Sequence, residues 1–250
     1  MSTSVVRDIP YTASRTERNC YDLHMPGGDG DCPLIIYFYG GSLKKGKKDK
    51  NALAPRAAEH GMAVAIADYR LFPKAKYPDF INDAADAVAA IIRDIGKYTD
   101  RISKIYVGGH SAGAYLCMML CFDRHYLAER GVDRSQIAGW LLLSGQPTKH
   151  FSVAESEGLD PRVCIIDDTA ALYHIRSGEG EPLLIATSDR DMTCRREQNL
   201  LLAATLRHFE YSSPIHFVDL EGATHSGMVK PDKQGNIPLM PHILNFINQT

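Results

Sequence analysis

Gly109-His110-Ser111-Ala112-Gly113 sets a serine between two glycines, the pattern G-x-S-x-G. The β-favouring Ile105-Tyr106-Val107 precedes it, and Ala114 to Leu120, a run of good helix formers, follows. A serine on a sharp strand-to-helix corner projects its hydroxyl from the sheet, and small residues two positions to either side relieve the crowding of that turn. The helix that starts there turns its positive end toward the site, which favours a developing oxyanion. The plainer reading is a serine N-cap on a Gly-rich turn. The strand–turn–helix context is the one a nucleophile requires, so Ser111 is taken as the nucleophile.

A serine hydroxyl is a poor nucleophile unaided and needs a histidine base, oriented in turn by a carboxylate. With this motif the expected order is Ser, acid, His, each in a loop after a later strand. "PLLIATSDRDMT" puts Asp189 and Asp191 just past an apolar run at 182–187, and "IHFVDLEGATHSG" puts His225 just past another at 214–220. Of the ten histidines, His225 is distinguished by a loop bounded by Gly222 and Gly227 at the carboxyl end of a strand. His110, the x of the motif, is expected to pack under the turn. Asp191 is placed ahead of Asp189 by its offset from the strand end. Asp189 stays open as the acid, its other reading being a bond to the turn backbone.

Positioning these groups requires strands whose ends lie side by side. Continuous apolar runs at 32–40, 61–70, 104–108, 138–144, 182–187 and 214–220 alternate with helical patterns at 51–60, 79–98, 112–122, 194–209 and 238–248. Strands apolar throughout, separated by amphipathic helices, predict an α/β protein whose mostly parallel central sheet is covered on both faces. The segments at about 4–9 and 19–25 read as edge strands joined by a turn. Residues 146–181 interrupt the alternation and predict a small cap-like insertion, with a short helix near 167–175, on a single domain spanning 1–250.

"LIIYFYGGSLKKGKKD" is similar to the His-Gly-Gly-x segment, and "ADYRLFPKAKYPDFINDAADAV" to the Asp-Tyr-Arg-Leu stretch with its following helix, of a group of small esterases. With the serine corner, these motifs resemble the α/β-hydrolase superfamily, in particular the hormone-sensitive-lipase and feruloyl/acetyl-xylan-esterase-like group. The resemblance covers nearly the whole chain. It implies an oxyanion hole made of the backbone amides of Gly41, Ser42 and Ala112, with Gly40 allowing the close turn. Tyr39 stands where that group usually has histidine, and Ser42 where many members have a third glycine. The resemblance also implies structural roles for Asp68-Tyr69-Arg70 and Asp83, including an Asp–Arg pair.

The activity expected is hydrolysis of a small or short-acyl carboxylic ester through an acyl-enzyme, without cofactor or metal. The acids Glu155, Glu157, Asp160, Asp167 and Asp168 read as solvated charges. Two alternatives are carried: an arylformamidase or peptidase on the same groups, and a non-catalytic receptor that keeps the fold. For a formamidase, Tyr39, Phe72, Phe151 and Tyr173 are the aromatic residues available to a ring. A net charge of −2 offers no reason to expect nucleic acid or an anionic membrane as partner. The run Lys44-Lys45-Gly46-Lys47-Lys48-Asp49-Lys50 is locally basic but lacks interleaved aromatics, so it reads as a solvated loop. No apolar h-region, no membrane-length stretch and scattered cysteines predict a cytoplasmic protein with a small-molecule ester as its partner. A homodimer would leave no trace in one sequence.

Overall fold

Strands buried on both faces carry no polar alternation, and the middle of this chain follows that rule: Ala63–Ala67 is buried at every position and Cys32–Phe38 at all but one. The computed structural model describes residues 2–13 and 16–250. Its strands are β1 (Ser4–Pro10), β2 (Cys20–Met25), β3 (Cys32–Phe38), β4 (Ala63–Ala67), β5 (Ile102–His110), β6 (Gly139–Leu143), β7 (Leu183–Arg190) and β8 (Ile215–Thr224). They form one eight-stranded sheet in the order β1-β2-β4-β3-β5-β6-β7-β8. Pairing is parallel from β4 through β8, and antiparallel only between β1 and β2 and between β2 and β4. This is the mostly parallel α/β architecture expected. One detail differs: β2 lies inside the sheet, between β1 and β4, so of the two N-terminal strands β1 alone is an edge.

The helices are α1 (Leu53–Glu59), α2 (Asp79–Asp94), α3 (Ala112–Phe122), α4 (His125–Ala128), α5 (Phe151–Ser156), α6 (Arg195–His208) and α7 (Met240–Gln249). From Ala112 to Cys121, α3 is buried throughout, which suits its apolar composition on every face. Helix α2 stops four residues before the predicted end at 98, passing into a 3-10 turn that contains Gly96, a poor helix former. Among the described residues no helix is long and apolar enough to cross a membrane.

Three further expectations need correction. The short helix predicted near 167–175 is only a 3-10 turn at Ala171–His174, whereas α5 forms where no helix was expected. The helix N-cap there is His150, whose ring nitrogen accepts from the Ser152 amide at 3.1 Å, a cap not signalled by the usual Ser, Thr, Asp or Asn. The acids of this segment are not simply solvated. The buried Lys149 draws Glu157 to 2.5 Å and Asp167 to 2.8 Å, and Glu155 pairs with Lys44. Strands β7 and β8 also run past their apolar residues to Arg190 and Thr224, because pairing resumes beyond an irregularity after Ser188.

Candidate active site

Parallel register brings the three chemical groups together at the carboxyl ends of the strands. His110 of β5 pairs with Leu143 of β6, so the next residues, Ser111 and Ser144, leave the sheet as neighbours. Arg190 of β7 pairs with Thr224 of β8, so the next residues are Asp191 and His225. Phe38 pairs with Gly109, which brings Tyr39 and Gly40 beside the serine corner.

The corner itself is strained. Ser111 has φ 57° and ψ −116°, and its amide donates to Leu143 O at 2.9 Å. A Cβ on Gly113 would lie 1.9 Å from Phe38 O, and one on Gly109 would lie 2.5 Å from the Gly113 carbonyl carbon. Both flanking glycines are therefore dictated by close backbone approach.

From Ser111 a chain of hydrogen bonds runs inward. Ser111 Oγ lies 2.8 Å from His225 Nε2, and His225 Nδ1 lies 2.6 Å from Asp191 Oδ1. The Ser144 hydroxyl donates to Asp191 Oδ2 at 2.7 Å, with its oxygen 2.9 Å from His225 Nδ1. Since that hydroxyl proton goes to the carboxylate, its oxygen can only accept from the ring. His225 Nδ1 therefore carries a proton directed at Asp191 and Ser144, and Nε2 presents its lone pair to the Ser111 hydroxyl. Burial alone would raise the Asp191 carboxyl. Hydrogen bonds from His225 and Ser144 outweigh it and hold the carboxyl below its usual range.

Asp189 is on β7, exposed, and accepts from the Gly222 amide at 2.7 Å. Of the two aspartates left open, only Asp191 reaches the imidazole. His110 packs beneath the corner as expected. Its Nε2 lies 2.8 Å from His225 O, and because a carbonyl can only accept, that nitrogen holds the proton. Burial, then repulsion from His225, pulls His110 down to about 3, so it is a neutral prop under the loop.

The sequence did not single out Ser144 or Arg195. Ser144 is fully buried at φ 51°, and its carbonyl accepts from Arg195 Nη1 at 2.8 Å. Burial pulls the Arg195 guanidinium down to about 10, with Asp191's charge opposing it. A Ser-Gly pair at the carboxyl end of the strand next to β5 was the available signal for Ser144. Nothing in the helical pattern marked Arg195 as the buried arginine. Ser144→Ala should lower kcat roughly tenfold, the kinetic equivalent of one charged hydrogen bond worth about 1.5 kcal/mol. Steady-state assay would show it, with KM little changed; a wild-type kcat would remove Ser144 from the positioning of Asp191.

The segment after β3 coils tightly. Gly41 (φ 138°), Ser42 (φ 60°) and Leu43 (φ 57°) have positive φ, and Gly41 O accepts from the amides of Lys44 and Lys45. The amides of Gly41 and Ser42 donate to no protein acceptor among the described residues, and Ala112, first in its helix, has no intrahelical partner. All three are thus free to meet a ligand's oxygen. Tyr39 anchors this loop. Its hydroxyl donates to Asp68 Oδ1 at 2.7 Å, its carbonyl accepts from Tyr69 Oη at 2.8 Å, and the two tyrosine rings stack at 4.9 Å. Arg70 forks onto Asp83 at 2.8–3.0 Å, the ion pair expected.

Ser111 and His225 face a cavity of about 640 Å³, which Gly40, Gly41, Ser42 and Met192 also line. Met192 borders a second, more apolar cavity of about 310 Å³ that includes Phe151 and Val163. Of the four aromatics weighed for a formamidase ring, Tyr39 borders the first cavity and Phe151 the second. Tyr173 packs against Arg176, and Phe72 lies under Lys44. Among the described residues no group of three or more His, Cys, Asp or Glu converges as a metal site would.

Residues 21–136 match the BD-FAE family model. A probable isoprenylcysteine alpha-carbonyl methylesterase of Oryza sativa subsp. japonica is 32% identical over 150 residues, 58% of this chain and 36% of that protein. A kynurenine formamidase of Danio rerio is 31% identical over 120 residues, 47% of this chain and 39% of that protein. The chain thus spans about a third of the length of the curated relatives it matches. Esterase B of Lactobacillus Rhamnosis superposes with a TM-score of 0.79 at 14% identity, over 98% of this chain and 85% of that one. A truncated carbohydrate esterase from gut microbiota gives 0.77 at 17%, over 98% and 96%. At such identities these two likenesses speak for the fold.

Proposed function

Starting from a chain that belongs to the α/β-hydrolase superfamily, we propose that it hydrolyses a small or short-acyl carboxylic ester through an acyl-enzyme. The observation that carries this reading is the unbroken line Ser111–His225–Asp191, at 2.8 and 2.6 Å, ending on a serine held at a strained corner. His225 Nε2 takes the hydroxyl proton as Ser111 Oγ attacks the ester carbonyl. Asp191 keeps the other proton on Nδ1 and stabilises the imidazolium that forms. The amides of Gly41, Ser42 and Ala112 receive the oxyanion, each donor contributing about 3 kcal/mol. The imidazolium then protonates the leaving alkoxide, and His225 activates a water that releases the acid. None of these steps calls for a cofactor.

A cavity of about 640 Å³ lies within the range of small-molecule sites and supports a small ester. We read residues 146–181 as a small cap on a single domain, too short to form a large lid over a long acyl chain. The relatives named as methylesterases support the ester reading, and a relative named kynurenine formamidase keeps a formamidase as the second reading. Of the four aromatic residues only Tyr39 borders the Ser111 cavity, which weighs against the latter. Free thiols at all six cysteines support the cytoplasm as the compartment.

The test is a series of p-nitrophenyl acetate, butyrate and octanoate beside 4-nitroformanilide. We expect acetate or butyrate to exceed octanoate at least tenfold in kcat/KM, with the formanilide far slower. Formanilide turnover above every ester would replace the first reading by the second.

A further inference from the structure

The basic run after β3, read from the sequence as a solvated loop, borders the catalytic cavity. Lys45, Lys47 and Lys50 line it from this run, and Lys230 lines it from the segment that follows His225. Among the described residues no aspartate or glutamate lines the same cavity. Asp49 and Asp232 belong to the same two segments but lie outside its wall.

The other lysines of the run are already neutralised: Lys44 by Glu155, and Lys48, which is buried, by Asp8 and Asp22. Lys47 also borders a neighbouring depression, where it helps to lower the Asp8 carboxyl after the larger effects of Lys48. Lys45, Lys50 and Lys230 enter no ion pair among the described residues. In a chain with a net charge of −2, the mouth of the Ser111 cavity is a local concentration of positive charge from both sides.

Like charges around one cleft repel each other, and a neutral ester gains nothing from them. An anion gains from all of them, because the low-dielectric walls focus the field into the cleft. Several lysines at roughly 10 Å multiply an anion's affinity on the order of tenfold even with water-like screening.

We propose that the substrate is an ester that also carries an anionic substituent, a carboxylate or phosphate, held by Lys45, Lys50 and Lys230 beside the scissile carbonyl. This rests on the hydrolase reading above and names its substrate class. The chemistry is ordinary ester hydrolysis: Ser111 Oγ bonds to the carbonyl carbon, the alcohol departs with the proton from His225, and the anion itself takes no part in bond making.

Two matched pairs test it. 4-Acetoxybenzoate against 4-acetoxybenzamide places the charge on the leaving side. Mono-4-nitrophenyl succinate against its terminal amide places it on the acyl side. The expected result is that the anionic member of at least one pair exceeds its amide about tenfold in kcat/KM at low salt. That ratio should fall toward one in 0.5 M NaCl and in the triple variant Lys45→Gln/Lys50→Gln/Lys230→Gln. The corresponding Lys→Arg triple should restore it. Equal or faster turnover of the amides in both pairs overturns the inference, as does a ratio the glutamines leave unchanged. Binding to Ser111→Ala by calorimetry supplies a readout without turnover: a carboxylate ester should bind more tightly than its amide, and equal affinity counts against the inference. Failure of every ester to turn over would instead strike the hydrolase reading, with the calorimetric comparison still deciding the anion.

Discussion

Ser111→Ala should lower kcat on p-nitrophenyl acetate by roughly 10⁴- to 10⁶-fold, the range seen when an acyl-transfer serine is removed. The reason is local. The hydroxyl 2.8 Å from His225 Nε2 is the one hydroxyl among the described residues that the lone pair of that nitrogen meets, and Ser144, on the other side of the ring, already donates to Asp191. Alanine should adopt the strained corner no worse than serine, since the strain lies in the backbone and in the close approach of Gly113 to Phe38. Stability by urea denaturation is therefore expected within about 0.5 kcal/mol of wild type. Loss of activity without loss of fold identifies the nucleophile. A variant keeping a tenth of the wild-type rate would assign the chemistry elsewhere.

Asp191→Asn should lower kcat by about 10⁴-fold, whereas Asp189→Asn should leave it within twofold of wild type. The carboxylate accepts the Nδ1 proton at 2.6 Å, and an asparagine that turns its NH₂ toward the ring would force the proton onto Nε2, where it blocks the Ser111 hydroxyl. Ser144 Oγ, 2.9 Å from Nδ1, can still accept from the productive tautomer and should leave a measurable residue of activity. Ser144→Ala on top of Asp191→Asn should then cost less than the two separate losses multiplied, because both act through the same proton. Asp189 only braces the Gly222 amide, so its neutral replacement touches no reacting group. Steady-state kinetics on the three variants distinguishes the aspartates. Comparable losses at positions 189 and 191 would contradict the assignment.

Much of this arrangement was legible before any coordinates. The strand-to-helix corner at Ser111 could be read because its requirements are local: β-favouring residues, two small flanks and helix formers in immediate succession. The placement of His225 beside Ser111 could be read because a histidine just past an apolar strand in a Gly-bounded loop is a rare placement. The choice between Asp189 and Asp191 was harder, for apolar periodicity ends at Thr187 while the strand continues to Arg190. Pairing with β8 extends β7, and pairing is not a property of one segment. The same extension puts Asp191 next to His225, so the detail that blurred the boundary also builds the site.

Ser144 and Arg195 escaped notice because their roles depend on which strands become neighbours. Tyr39 was legible only as a departure. Its meaning, an anchor from the segment after β3 to Asp68, needed the parallel register of β3 and β4 that sets Phe38 opposite Ala67. The basic run was likewise readable as charge but not as cavity wall. Its position follows from the coil at Gly41 to Leu43, where three consecutive positive φ values turn the chain back over the serine.

The central claim is that Ser111 is an activated nucleophile. The most direct measurement is the intact mass of the protein after exposure to a fluorophosphonate, followed by peptide mapping, for wild type and Ser111→Ala side by side. The account predicts one adduct on wild type, mapped to Ser111, and none on the variant. An unlabelled wild type, or an adduct that persists in Ser111→Ala, would contradict it.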